Sequence, residues 1–171
     1  IYLDPPFNST RDYNVLFKET SGKGSGAQIE AFGDTWHWGD AAQLAFEEVQ
    51  RGPHQPVARM LKAMVDGLGH NDVTAYLSMM AIRLIELHRV LKLTGSIYLH
   101  CDPTASSYLR ILMDAVFGAS NLRSFIVWKR FSSHGNVYKT FGQVQDNILF
   151  YAKKSDESTW NQLYKPLSEN Y

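Results

Sequence analysis

Ile1-Tyr2-Leu3-Asp4-Pro5-Pro6-Phe7 is the stretch on which the reading of the chain turns. Three apolar residues rich in β-formers read as the end of a buried strand. Asp4 follows, and a residue before proline is pushed into extended geometry. Each proline fixes its own φ near about −65° and removes a backbone N–H. Asp4 therefore stands at a strand tip on a stiff backbone, followed by the Pro5 carbonyl and the Phe7 ring. In open α/β sheets, ligands bind outside the carboxyl ends of strands. The same residues also fit a plain proline turn with a capping Asp, and a tetrapeptide alone does not separate the two readings.

An acceptor carboxylate, an acceptor carbonyl and a ring to stack on suit an aromatic amine such as the exocyclic amine of adenine. That nitrogen is a poor nucleophile because its lone pair is delocalised into the ring. Two acceptors holding its hydrogens favour a pyramidal nitrogen, with the lone pair free for in-line attack on an activated methyl. No covalent enzyme intermediate is needed. The aromatic ring holds a base taken out of its stack, as chemistry on duplex bases requires.

The chain has 171 residues, 44% hydrophobic and 20% charged, which fits one globular domain with a core. Its formal net charge is zero, so no global basic signature points to nucleic acid. The distribution is less even. Between Ser120 and Lys154 stand Arg123, Lys129, Arg130, Lys139, Lys153 and Lys154 against one acid, Asp146. Such a cluster fits a phosphate-facing patch or a solvated edge. Cys101 is the single cysteine, which excludes a disulfide framework and a Cys-based zinc site; no metal is expected. A reducing cytosol is consistent with that. No apolar run approaches the roughly 20 residues of a membrane span. No signal peptide and no initial Met are present, and the opening inside a core strand reads as a fragment.

Asn8 to Gly26 is polar and glycine-punctuated, and reads as a loop over the site. Gly22-Lys23-Gly24-Ser25-Gly26 lacks the spacing of a phosphate loop. The aromatic segment Phe32 to Asp40 reads as packed under the sheet. Asp40 is a candidate cap for a helix over Ala41 to Gln50, and a second helix is predicted over Pro56 to Val65. The longest helix starts at Asn71 or Asp72 and runs to about Lys92. Its Leu77, Met80, Leu84, Leu87 and Leu91 recur at three- and four-residue steps, and Gly95 is expected to end it in left-handed geometry. Ser96 to Cys101 forms the next strand. Asp102 before Pro103 matches an N-cap with proline at the first helical position, on a helix to Phe117. Strands over Ser124 to Lys129 and Asn147 to Ala152 lack a helical crossover and should pair antiparallel.

These blocks resemble amino-group DNA methyltransferases of prokaryotic restriction–modification systems, of the adenine-specific β order and like the type III modification subunits. Asp4-Pro5-Pro6-Phe7 resembles the family's catalytic DPPY/DPPF motif. Asp34 to Trp38, Leu87 to Asp102, Tyr108 to Asp114 with Phe117-Gly118, Asn121 to Arg123, Val127 to Arg130 and Gln145 to Tyr151 are similar to segments that follow it in order. The resemblance covers essentially the whole chain. It implies an α/β, Rossmann-like methyltransferase catalytic half: a mostly parallel, incomplete sheet with one reversed strand and helices packed on it in three layers. It implies that Asp4 and the Pro5 carbonyl hold the target amine, with Pro6 stiffening the turn and Phe7 stacking on the flipped base. S-adenosyl-L-methionine is the implied methyl donor, although the glycine-rich donor motif comes later in this order than Tyr171. Double-stranded DNA is the implied substrate, with Lys129, Arg130 and Lys139 as candidate DNA contacts. A homodimer or a restriction subunit is the implied partner, in a prokaryotic cytoplasm. Residues 1–159 correspond to the catalytic subdomain and 160–171 to the start of a cut-off target-recognition region.

Other readings remain. A cytosine amino-methyltransferase uses the same physics on another amine. A cytosine ring-carbon methyltransferase needs a nucleophilic Cys, and Cys101 follows a buried-type strand instead. A catalytically incomplete module that binds DNA or a partner is favoured by the missing donor motif, and zero net charge tilts it toward a protein partner. A nucleotide-dependent enzyme with Gly22 to Gly26 as its phosphate cradle requires a helix directly after Gly26.

Overall fold

A computed structural model describes residues 1–5, 12–15, 29–33, 36–130, 141, 144–162 and 164. Its main sheet has four strands: β1 (Tyr2–Leu3), β4 (Ser96–Cys101), β5 (Leu122–Lys129) and β6 (Gln145–Ala152), in spatial order β1-β4-β6-β5. β1 runs parallel to β4, while β6 is antiparallel to both β4 and β5. Three strands thus share one direction and β6 alone is reversed, inserted between β4 and β5. The expected mixed sheet with one reversed strand is what the chain builds.

Four helices cover one face of this sheet: α1 (Asp40–Arg51), α2 (Gln55–Leu68), α3 (Asp72–Val90) and α4 (Pro103–Phe117). Alternation along β4 decides which side chains meet them. Ile97, Leu99 and Cys101 are fully buried, and across the ladder Leu149 and Tyr151 of β6 join them. Leu61 of α2, Leu77 and Leu84 of α3, and Leu109 and Leu112 of α4 close the same cluster. The described residues supply the sheet and one helical layer of the expected α/β architecture. The other face carries an aromatic row in which Tyr98 stacks on Phe150 at 4.3 Å and Phe150 on Trp160 at 6.2 Å.

The helix ends follow local chemistry. Asn71 caps α3 by accepting from the Thr74 N–H at 3.0 Å, and the Thr74 hydroxyl accepts from the Asn71 N–H, a reciprocal cap. Asp102 caps α4 by accepting from the Ala105 N–H at 2.9 Å, ahead of Pro103. Gly118 ends α4 at φ 86°, a backbone state that glycine adopts at no steric cost. Lys153 donates to the carbonyls of His88 and Leu91, each at 2.7 Å, and so caps the last turn of α3.

Four expectations are corrected. Gly95 does not take left-handed geometry, since the positive-φ glycines described are Gly69 and Gly118; α3 ends at Val90 with Leu91 as its cap. Asp40 is the first residue of α1 and Gly39 its cap, without a side-chain bond. The span from Asn8 to Gly26 is not all loop, because β2 (Asp12–Val15) pairs antiparallel with β3 (Ile29–Gly33) in a separate two-stranded sheet. The aromatic segment packs on helices, not under the sheet: Trp36 lies 5.8 Å from Tyr76 of α3 and Trp38 5.9 Å from Phe46 of α1. Residues 22–26 lie outside the described residues. The first described element after them is the strand β3, where a phosphate cradle of the kind considered would need a helix. No helix among the described residues is long and apolar enough to cross a membrane.

Candidate functional site

The topology brings one end of every strand in the main sheet to one edge. β1, β4 and β5 point their carboxyl ends there, and β6, running the other way, begins there. The polar residues at that edge include Asp4, His100, Asp102, Arg130 and Asp146.

Register sets their neighbours. Tyr2 pairs with Tyr98 and Leu3 with Leu99, so the next step along the parallel pair brings Asp4 beside His100. Both point away from the helices, because Leu3 and Leu99 point toward them. The Asp4 carboxylate lies 3.2 Å from His100 Nδ1 and is 57% exposed, whereas the His100 side chain is only 16% exposed. Tyr2 brings its hydroxyl to 3.3 Å from the same nitrogen. Burial raises the Tyr2 pKa above the ordinary tyrosine value, and the Asp4 charge raises it further.

β6 supplies the other side of the imidazole. His100 sits opposite Ile148, and Asp146 lies two residues away on the same face. Asp146 Oδ2 is 3.3 Å from His100 Nε2, and its other oxygen is 3.2 Å from an Arg130 guanidinium nitrogen. Asp146 is buried, at 7% side-chain exposure, and buried carboxylates require such partners. The contacts run Asp4–His100–Asp146–Arg130, in the spatial order of the strands that carry them.

Asp102 and Cys101 have other duties. Asp102 is engaged as the cap of α4. Cys101 is fully buried on the helix side. Burial, reinforced by the Asp102 and Asp146 charges, pushes its thiol up to about 12, so it stays protonated and is a poor nucleophile. That removes a cysteine-based attack on a ring carbon. Among the described residues no group of His, Cys, Asp and Glu is arranged to hold a metal ion.

The expected site residues distribute as follows. Asp4 is exposed at the strand edge and Pro5 is half-buried behind it. Pro6, Phe7 and Lys139 lie outside the described residues. Lys129 is exposed at the end of β5, and Arg130 is tied to Asp146. The rest of the basic cluster is engaged locally: Lys153 caps α3, Lys154 pairs with Glu157 at 2.8 Å, and Arg123 donates to the Ser155 carbonyl. Sequence reasoning gave His100 no role and counted Asp146 only as the one acid in a basic stretch. The signal was available in the reversed strand, since a strand that runs backwards must begin where its parallel neighbours end.

Comparison with known proteins adds an independent line. Residues 1–170 match the N6/N4 methyltransferase family model, described as DNA methylase. The Mod subunit of the type III restriction-modification enzyme StyLTI of Salmonella typhimurium is 27% identical over 172 aligned residues, covering all of this chain and 22% of that protein. The type II methyltransferase M.EcaI of Enterobacter cloacae is 33% identical over 96 residues, 56% of this chain and 21% of its own. The type II methyltransferase M.KpnI of Klebsiella pneumoniae is 31% identical over 84 residues, 49% of this chain and 19% of its own. The chain thus spans about a fifth of the length of the curated relatives it matches.

Proposed function

The chain belongs to the DNA methylase family, and from that premise we propose that it forms the target-base half of a site-specific DNA amino-methyltransferase acting on the exocyclic amine of adenine. The observation that carries this reading is the Asp4 carboxylate: a strand-tip acid, more than half exposed, anchored on one side and open on the other. An acid meant only for packing or capping would be buried or bonded to a helix N-terminus, as Asp102 is.

Asp4 accepts one hydrogen of the amine and the Pro5 carbonyl accepts the second. With both hydrogens held, the nitrogen lone pair is drawn out of conjugation with the purine ring. Phe7 stacks on the base once it has left the duplex stack. Pre-organised acceptors of this kind lower the barrier because they need no reorientation during reaction. S-adenosyl-L-methionine supplies the methyl group when bound. Among the described residues β1 pairs with β4 alone, and the donor would approach Asp4 from the other side of β1 in this reading.

Lys129 and Arg130 stand at the end of the sheet that faces DNA phosphates in this reading, and Lys139 is a further candidate contact from the resemblance alone. Arg130 keeps 55% of its side chain exposed while bonded to Asp146, so it has donors left for a phosphate. Residues 160–171 open the target-recognition region. A second copy or a restriction subunit is the partner, in the cytoplasm of a prokaryote.

The test uses the product of the full reading frame with unmethylated duplex DNA and S-adenosyl-L-methionine. The DNA is then digested to nucleosides and analysed by mass spectrometry. N6-methyladenine is the expected product. N4-methylcytosine would move the acceptor to cytosine with the site unchanged. Absence of any methylated nucleoside would overturn the enzymatic reading in favour of a binding module.

A further inference from the structure

Asp4 cannot hold an amine productively unless its carboxylate is itself held. It follows two residues of strand, β1 is an edge, and the group is largely in water. A freely rotating carboxylate would present either oxygen in many directions and lose the geometric advantage of pre-organisation. His100 removes that freedom. Its Nδ1 lies 3.2 Å from Asp4 Oδ1 and 3.3 Å from the Tyr2 hydroxyl, so a proton on that nitrogen can be given to one carboxylate oxygen, leaving the other for the substrate.

The imidazole is in turn restrained from both ends. Its chain position is set by a six-residue ladder with β6, from Ser96↔Ala152 to Cys101↔Asn147. Its Nε2 faces Asp146, whose second oxygen faces Arg130. An aromatic ring with carboxylates at both nitrogens cannot flip without losing a contact at each end. Carboxylates and nitrogen bases alternate along the row: Asp4, His100, Asp146, Arg130. A buried acid such as Asp146 with no catalytic target of its own is costly to keep unless it does this structural work.

We propose that His100 is a positioning residue for the methyl-transfer reaction, orienting Asp4 through Nδ1 and itself oriented by Asp146 and Arg130. This rests on the reading of Asp4 as the amine acceptor. His100 touches neither base nor donor; it acts through Asp4. Its effect falls on turnover and not on affinity, because DNA and donor are held by other groups.

The experiment compares three variants of the full reading-frame product in steady-state methylation of duplex DNA. Asp4→Ala abolishes methylation if the underlying reading is right; retained methylation in that variant overturns the functional reading itself. With that established, His100→Leu lowers kcat by about 10- to 100-fold, with KM for DNA and for S-adenosyl-L-methionine unchanged. His100→Asn restores most of kcat, because its amide nitrogen can donate to Asp4 Oδ1. Equal kcat for His100→Leu and wild type overturns the proposal, and so does equal impairment of the Leu and Asn variants, which would mark a packing role. If His100→Leu does not fold by circular dichroism, Asp146→Asn replaces it. A fall in kcat at constant KM then supports the restraint, and wild-type kcat overturns it.

Discussion

The two faces of β4 divide the labour of the molecule. Toward the helices, Ile97, Leu99 and Cys101 are fully excluded from water. Toward the open side, Tyr98 and His100 keep some exposure and meet rings and carboxylates. The two sets alternate residue by residue on one six-residue strand. A period of two lets one segment specify a core with its odd-numbered residues and a site with its even-numbered ones. Stability and chemistry are thereby separable by single substitutions, and this separation can be tested from both sides.

The largest difference expected is in thiol reactivity. Cys101, on the covered face, is raised from 9.0 to about 12, three pKa units, or about a thousand-fold less thiolate at mildly alkaline pH. Labelling by a thiol-specific disulfide reagent at pH 8 should follow global unfolding and not the free-thiol rate. Fast labelling of the folded chain would break the comparison. The sign for stability follows from the same shift. The folded thiol holds its proton longer than the unfolded one, so its contribution is complete below pH 9.0 and is lost as pH rises toward 12. Cys101→Ala should flatten that alkaline decline in urea midpoints.

Leu99→Ala comes next. The residue is fully buried among leucines of three helices, and such truncations cost about 2–5 kcal/mol. Chemical denaturation should show that loss without any change in the strand-edge array. Tyr98→Leu, one residue away, should cost only about 0.5–1.5 kcal/mol, the worth of an aromatic pair, because it removes the Phe150 stack from a partly wet face. Equal costs for the two would mean that the open side is covered as fully as the other.

Much of the fold was legible before any coordinates. Helix periodicity exposed α3, Asp102-Pro103 announced the start of α4, and the missing crossover between β5 and β6 correctly forced antiparallel pairing. These features are local, and sequence records them locally. The pairing of β2 with β3 was missed because both strands are short and Gly22, Gly24 and Gly26 between them made the whole span read as loop. The end of α3 was misplaced because Gly95 was given a capping role, whereas Lys153, distant in sequence, closes that helix. The same limit hid half of the site. Asp4 was visible from its proline turn, a local feature. The pairing of His100 with Asp146 depends on β6 lying between β4 and β5 in one particular register, which no neighbouring residue encodes.

The central claim is that the acid at the tip of β1 holds the amine that receives the methyl group. Methylation by Asp4→Ala in the full reading-frame product, read as N6-methyladenine per recognition site, tests it most directly. The expected result is a loss of at least about 100-fold, with an unchanged thermal unfolding midpoint, since the side chain is exposed and packs against nothing in the core. Near wild-type methylation by that variant would contradict the account.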